Sequence, residues 1–188
     1  GRLEPYKRVD VMFRAGARLV DRFPDLELLV IGKGSDRQRL ETLTRGLGLA
    51  GRTRFTGFIE DGERDALLAG TRVCAFPSEK EGWGLTVIEA NALGTPVVAR
   101  DAPGLRDSVR HGQTGTLVGP PEQHARGPES ERDEIQDWAD ALGAMLIEDD
   151  AAKALRQRCL EWAKHFDWDR AANDMERAIT AALQGNSQ

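Results

Sequence analysis

Short apolar runs alternate with helical patterns of apolar residues over the first two thirds of the chain. The run Leu26–Ile31 predicts a buried strand, with further strands at 52–55, 72–76, 96–99 and 115–118. Between and around them, helical spacing predicts helices at 7–22, 35–47, 60–69, 85–93 and 104–110. This alternation is typical of an α/β fold, a doubly wound parallel sheet with helices on both faces. A ligand crevice is then expected at the carboxyl ends of the strands.

The last third of the chain has a different pattern. Residues 119–134 are rich in proline and charge and predict a loop. Extra C-terminal helices are predicted after it, at about 134–147, 150–165 and 168–183. Gly1-Arg2-Leu3 resembles the end of a strand, so we expect the chain to be a piece of a longer protein. We predict one domain over 1–166, followed by a C-terminal helix and tail over 167–188.

Composition narrows the class of protein. The 188 residues are 40% hydrophobic and 30% charged, with a net charge of −5, which is ordinary for a globular domain and argues against a nucleic-acid partner. No run reaches the roughly 20 apolar residues that a membrane-spanning helix needs. Cys74 and Cys159 are too few for a disulfide framework, and no signal peptide is visible, so a cytoplasmic location is expected.

The segment from Glu81 to Gly84 is the strongest candidate for chemistry. Its glycines permit a positive φ and let a ligand approach the backbone. The helix predicted from Leu85 has unpaired N–H groups and a positive dipole end, which together favour phosphate. Glu89 follows in an apolar context and needs a partner, either two ribose hydroxyls or a neighbouring arginine. Glu81 is either a carboxylate that lies beside a bound phosphate or a solvated loop residue.

Two other groups of residues are each consistent with either a ligand contact or an ordinary structural role. Gly32-Lys33-Gly34 follows a predicted strand, but Arg37 stands where a dinucleotide fingerprint needs its third glycine. The turn is therefore a tight connection or a ligand contact. Arg2 and Lys7 lie at and after the strand end predicted at residues 1–3. They either bind a diphosphate together or are surface cations. The three histidines lack metal-ligand spacing, so no metal site is predicted.

The stretch Pro77–Ala99 resembles the signature of family-4 retaining glycosyltransferases. Glu81 and Glu89 are separated by seven residues in a glycine-rich context, and the resemblance covers nearly the whole chain, over 1–168. Members of that family have the GT-B fold, in which two Rossmann-like domains face a cleft. The resemblance implies that this chain is the C-terminal, donor-binding half and that an N-terminal acceptor domain is missing.

The resemblance also implies roles for individual positions. Arg2 and Lys7 match the basic pair at the donor diphosphate, and Glu81 matches the glutamate that faces the transferred sugar, so these three are the expected catalytic residues. The expected nucleotide-sugar-binding residues are Glu89 at the ribose, Gly82, Trp83, Gly84, Leu85 and Thr86 at sugar and phosphate, Gly32 and Lys33 near the nucleotide, and Phe58 and Ile59 at the base. Arg8 departs from the pattern, because a glycine usually follows this lysine. The 119–134 loop is also longer than usual.

The implied reaction transfers a sugar from a UDP- or GDP-linked donor to an unidentified acceptor with retained configuration. Cations and a helix end would stabilise the departing diphosphate, so neither a metal nor another cofactor is expected. The chain alone is expected to bind nucleotide without transferring sugar, and contact with the inner face of the membrane is left open. The alternatives are a nucleotide-sugar epimerase domain, a non-catalytic nucleotide-binding module and, ranked last, a dinucleotide oxidoreductase.

Overall fold

The computed structural model describes residues 1–119 and 128–185. Strands and helices alternate through these ranges, with short 3-10 turns at Pro5–Lys7 and Ala50–Arg52. The strands are β1 (Leu28–Ile31), β2 (Thr53–Gly57), β3 (Cys74–Phe76), β4 (Val97–Arg100) and β5 (Gly115–Val118). The helices are α1 (Val9–Ala17), α2 (Arg37–Gly46), α3 (Asp61–Ala69), α4 (Leu85–Ala92), α5 (Leu105–Ser108), α6 (Pro128–Met145), α7 (Asp150–Ala163) and α8 (Trp168–Gly185).

All strand pairs are parallel, in two groups: β1 with β2, and β3–β4–β5 with β4 at the centre. The opening segment of the chain runs beside the end of β1, where the amide of Leu3 donates to Lys33 O (2.8 Å). The same segment reaches the loop after β3, because Tyr6 O accepts from the amide of Glu79 (3.0 Å). Residues 1–7 therefore link the two groups of strands at their carboxyl ends.

Helices cover both faces of the three-stranded group. Val97 and Ala99 of β4 pack against residues of α4 and α5, whereas Val98 between them packs against α1 and α6, including Trp138. Because β4 is buried along its whole length, its sequence is a continuous apolar run closed by Arg100. Alternate burial on two sides is what a doubly wound arrangement requires, so the predicted fold class is confirmed.

Two element boundaries differ from the predictions by more than three residues. Helix α1 ends at Ala17, and turns replace its predicted continuation to residue 22. The predicted loop over 119–134 is wrong from Pro128 onward, where α6 begins; residues 120–127 lie outside the described residues. Proline suits the first turn of a helix, since its missing N–H would have no partner there. The charged residues that suggested a solvated loop include Glu134, which is buried against Arg100.

Candidate functional site

The glycine-rich turn before α4 rests on the α5 region. Gly84 has φ +76 at the start of α4, and a Cβ there would lie 2.6 Å from Ser108 Oγ, so only glycine fits. A Cβ on Gly104 would lie 2.6 Å from Glu81 O, so the turn also packs directly on that backbone. Within the described ranges, the amides of Leu85 and Thr86 donate no hydrogen bond to the protein. The turn thus presents two uncommitted donors at a helix N-terminus.

Two of the three predicted catalytic residues contact each other. Lys7 Nζ donates to Glu81 Oε1 at 2.5 Å, and the two side chains are 19% and 18% exposed. The 3-10 turn at Pro5–Lys7 and the Tyr6–Glu79 hydrogen bond hold the lysine against the loop after β3. The ammonium also lies 5.2 Å from the centroid of the Tyr6 ring, and Lys80 Nζ lies 5.8 Å from it. The result is a half-buried, mutually neutralised pair with a second lysine, Lys80, also in contact with the Tyr6 ring.

Glu89 lies half-buried on α4, and its carboxylate has no hydrogen bond or ion pair in the part of the chain that the structure describes. Arg64 on α3 is instead bonded to Asp61 (2.8 Å) and Asp65 (2.8 Å). The pKa of Arg64 is raised mainly by the hydrogen bond to Asp65, and the charge of Glu89 contributes through space. Arg64 therefore does not pair directly with Glu89, although its charge acts on Glu89 through space. The Glu89 carboxylate oxygens can still accept hydrogen bonds.

Arg2, the third predicted catalytic residue, lies in the opening segment between Gly1 and Leu3. Its side chain is exposed and forms no hydrogen bond or ion pair within residues 1–119 and 128–185. The strand end predicted at residues 1–3 is wrong, since residues 1–4 are irregular, and Arg2 is not joined to the Lys7–Glu81 pair. Its role at a diphosphate stays a prediction.

The ring of Trp83 packs against another aromatic side chain of the protein. It packs edge-on against Phe166, with ring centroids 4.8 Å apart, and Phe166 packs in the same way against Trp162. Trp162 Nε1 donates to Ser108 O (2.9 Å), the residue under Gly84. The Trp83 side chain thus ties the glycine-rich turn to the α7–α8 connection while the residue stays 36% exposed.

The turn Gly32-Lys33-Gly34 contacts the chain's own backbone. A Cβ on Gly32, which has φ +133, would lie 1.7 Å from Gly1 O, and one on Gly34 would lie 2.0 Å from Leu3 O. These glycines are explained by a tight connection. Beside them, Lys33 Nζ stands 5.9 Å from the ring centroid of Phe58, which is 68% exposed. Ile59 is half-buried next to it, so Lys33, Phe58 and Ile59, three of the four residues expected at the nucleotide and its base, are neighbours at the ends of β1 and β2.

The other reactive residue types carry no comparable arrangement. Burial raises the pKa of the Cys74 and Cys159 thiols to about 12, so neither is a thiolate at neutral pH. His111 Nδ1 accepts from the amide of Leu117 (3.0 Å), and His124 lies outside the described residues. No set of three metal-ligating side chains occurs in the described ranges. No helix there is both long enough and apolar enough to cross a bilayer.

Sequence reasoning missed four residues that shape this site. Ser108 and Gly104 support the glycine-rich turn, Arg64 adds positive charge near Glu89, and Lys80 lies against Tyr6. A proline-glycine pair at 103–104 was the one local signal, since it marks a turn. The other three residues are brought near the turn by the tertiary fold alone.

The family model described as "Glycosyl transferases group 1" matches residues 1–158. This chain belongs to that family. It is 37% identical over 190 residues to the D-inositol 3-phosphate glycosyltransferase of Nocardia farcinica, an alignment that covers 97% of this chain and 40% of the relative. The corresponding enzyme of Corynebacterium aurimucosum is 34% identical over 189 residues, covering 97% and 42%. This group 1 chain therefore spans about two fifths of the length of these curated relatives.

Solved structures of GT-B glycosyltransferases share the fold of this group 1 chain. HepE from Anabaena in complex with UDP has a TM-score of 0.80 at 23% identity, over 96% of this chain and 47% of that one. Sucrose-phosphate synthase from Thermosynechococcus elongatus has a TM-score of 0.80 at 27% identity, over 98% and 44%. The C-terminal domain of a group 1 family protein from Francisella tularensis has a TM-score of 0.73 at 23% identity, over 88% and 82%. The Rossmann-like, GT-B-type fold expected from the sequence is thus confirmed.

Proposed function

We propose that this group 1 chain is the C-terminal, donor-binding domain of a retaining glycosyltransferase that uses a nucleoside-diphosphate sugar. The observation that carries the proposal is the Lys7–Glu81 pair beside the uncommitted amides of Leu85 and Thr86. A cation, a helix N-terminus and a carboxylate next to one another suit a diphosphate joined to a sugar. Family membership favours this function over the epimerase and oxidoreductase alternatives.

Binding of the donor would divide the Lys7–Glu81 pair. The ammonium exchanges the carboxylate for diphosphate oxygens, and the Glu81 oxygens become free to accept from sugar hydroxyls. When the bond from the anomeric carbon to the phosphate oxygen breaks, negative charge grows on the diphosphate. Lys7, Arg2 and the two amides then stabilise that charge where it develops. The acceptor hydroxyl oxygen bonds to the anomeric carbon on the face from which the diphosphate departs, its proton passes to the departing diphosphate oxygen, and configuration is retained.

The nucleoside half of the donor would lie along the remaining predicted residues. Glu89 accepts from the two ribose hydroxyls, a role open to a half-buried carboxylate without a bonded partner in the described residues. Phe58 and Ile59 line the base, with Lys33 nearby. UDP is the preferred nucleotide, because the solved HepE structure of the same fold is a UDP complex.

The rest of the reaction is assigned to another part of a longer enzyme. We propose that the transferred sugar is a hexose, that the acceptor binds a separate N-terminal domain, and that no metal is needed in the cytoplasmic enzyme. On α8, the apolar side chains of Met175 and Ile179 are exposed one turn apart, which suits packing of the predicted 167–188 segment against such a domain.

Calorimetric titration tests the donor assignment. The chain is expected to bind UDP more tightly than GDP, ADP or uridine, with the same Kd in Mg²⁺ and in EDTA. Arg2→Ala should weaken UDP much more than uridine, because uridine lacks the diphosphate. Equal losses would remove Arg2 from the phosphate site. Absence of binding by all four compounds would contradict the proposal and favour a non-catalytic module.

A turnover assay tests the division of labour between domains. The isolated chain with UDP-glucose and candidate acceptors should release no UDP beyond the rate without acceptor. Acceptor-dependent release by this chain alone would show that a separate acceptor domain is unnecessary.

A further inference from the structure

The backbone of Arg8 is held in an unfavourable conformation. Its φ of 48° and ψ of 39° make it the single non-glycine residue with positive φ in the described ranges. The left-handed region crowds the Cβ of an L-residue, which is why a glycine suits this position. Arg8 directly follows Lys7, and its own amide donates to Pro5 O (3.0 Å), closing the turn that aims the lysine. Contacts elsewhere must hold the arginine in this conformation.

Three carboxylates surround the Arg8 guanidinium. Its nitrogens lie 3.3 Å from Glu79 Oε1, 3.5 Å from Asp10 Oδ1 and 3.9 Å from Glu134 Oε2. Desolvation by itself would lower the pKa of Arg8, but these carboxylates raise it overall, so the charge is retained. The guanidinium is therefore fixed from α1, from α6 and from the loop after β3.

The deepest of these contacts joins a buried ion pair. Glu134 also accepts a hydrogen bond from Arg100, whose side chain is 1% exposed. Arg100 in turn donates to Pro77 O (3.0 Å), just after β3. Breaking a buried pair leaves an uncompensated charge, so the Arg100–Glu134 pair is costly to rearrange. Through it, Arg8 is anchored to the rigid end of the central strands.

The two consecutive cations of the opening segment diverge. Lys7 reaches Glu81 and Arg8 reaches Glu79, so two ties run side by side from one segment to one loop. The backbone bond from the Glu79 amide to Tyr6 O lies between them. A shift of Arg8 would therefore change the direction in which Lys7 points.

We propose that Arg8 is a positioning residue, whose left-handed backbone and three carboxylate contacts hold Lys7 in the orientation needed to bind a diphosphate. The inference rests on the proposed function, since the diphosphate belongs to the donor nucleotide. Arg8 acts through Lys7, because its own guanidinium is already occupied by Glu79, Asp10 and Glu134.

Arg8→Gly is the first test, by calorimetric titration of the full chain with UDP and with uridine. Glycine adopts φ +48 freely, so the backbone loses strain while the three anchoring contacts disappear. We expect the Kd for UDP to rise about tenfold and that for uridine to change less than twofold. A UDP affinity equal to wild type would overturn the inference, as would equal losses for both ligands, which indicate general loosening.

Glu79→Gln separates positioning from simple electrostatics. The Glu79 side chain is 50% exposed, so the substitution should leave the fold intact. Removing a negative charge near the site would strengthen the binding of an anion if charge alone mattered. If Arg8 positions Lys7, loss of its anchor should instead weaken UDP about two- to threefold. Tighter binding of UDP by this variant would overturn the inference.

Two further proteins complete the experiment. Arg72→Ala removes an arginine paired with Glu148 (2.7 Å) at the amino end of β3 and should leave the Kd for UDP unchanged. Arg8→Lys keeps a cation beside the carboxylates and should recover part of the affinity lost in Arg8→Gly. Failure of the wild-type chain to bind UDP, GDP, ADP and uridine would refute the proposed function itself, whereas normal UDP binding by Arg8→Gly would refute only the role of Arg8.

Discussion

The two glycine-rich turns of this chain look alike in sequence but differ in what surrounds them. Each follows a parallel strand and precedes a helix, at 32–34 and at 82–84. At the first turn, the chain's own residues Gly1 and Leu3 occupy the space that side chains would fill. At the second, Ser108 and Gly104 support the turn from beneath, and the amides of the following helix stay uncommitted.

The comparison shows that glycine after a strand has two separate uses. At 32–34 it allows backbone to pack on backbone, which contributes to the fold. At 82–84 it exposes donors next to a carboxylate and a lysine, which suits an anionic ligand. The physical difference lies in what stands against each turn: the backbone of Gly1 and Leu3 at the first, and the Lys7–Glu81 pair at the second.

Gly34→Ala should have the largest effect and should act on stability. The added Cβ would lie 2.0 Å from Leu3 O, a backbone atom that also accepts from the Asp36 amide, so the opening segment must move. We expect the free energy of unfolding to fall by about 3 kcal/mol. Gly46→Ala is the matched control in α2, with open space around its Cβ, and should raise it by about 0.5–1 kcal/mol. Urea denaturation measures the free energy of unfolding of both variants. Equal values for the two would contradict the argument that Gly34 packs against the opening segment.

Glu89→Ala should act on binding. Loss of a carboxylate that accepts from ribose hydroxyls should weaken both UDP and uridine by about 1–3 kcal/mol. Titration calorimetry measures both, with Glu176→Ala on the exposed face of α8 as the control. Unchanged affinities in a folded Glu89 variant would exclude the ribose role.

Leu85→Asp should separate stability from binding at the second turn. The Leu85 side chain is 67% exposed at the first position of α4, where an acidic residue stabilises the helix dipole by a few tenths of a kcal/mol. The same charge should repel a diphosphate and weaken UDP by about 1–1.5 kcal/mol while leaving uridine unchanged. The Tm from thermal unfolding and the Kd for UDP should thus both rise, because the variant is more stable but binds UDP more weakly. Unchanged UDP affinity would place the phosphates away from this helix end.

Phe58→Ala should have the smallest effect. The exposed ring loses its contact with Lys33 and, in the proposed complex, with the base. UDP and uridine should each weaken by about 0.5–1 kcal/mol, by the same amount, because both carry the base. A change confined to UDP would move Phe58 to the phosphate side of the site.

Local patterns predicted much of the fold, but the partners of the site residues could not be read from them. The apolar runs and turn residues gave the five strands and most helices because periodicity depends on near neighbours. The loop prediction failed at α6, because the partner that buries Glu134 is Arg100, 34 residues earlier in the chain. The role of Trp83 was missed for the same reason, since its ring partner Phe166 lies far away in sequence.

Residue types and their spacing were enough to predict the alternation of strands and helices, the family, and the carboxylates and cations from which a donor site can be built. The packing of the folded chain set the rest: Lys7 pairs with Glu81, Arg8 turns away toward Glu134, and backbone fills the space beside one glycine-rich turn. The reason is that residue type and spacing set local conformation, whereas the partner of a charge or an amide is whichever distant group the packed chain brings within bonding distance.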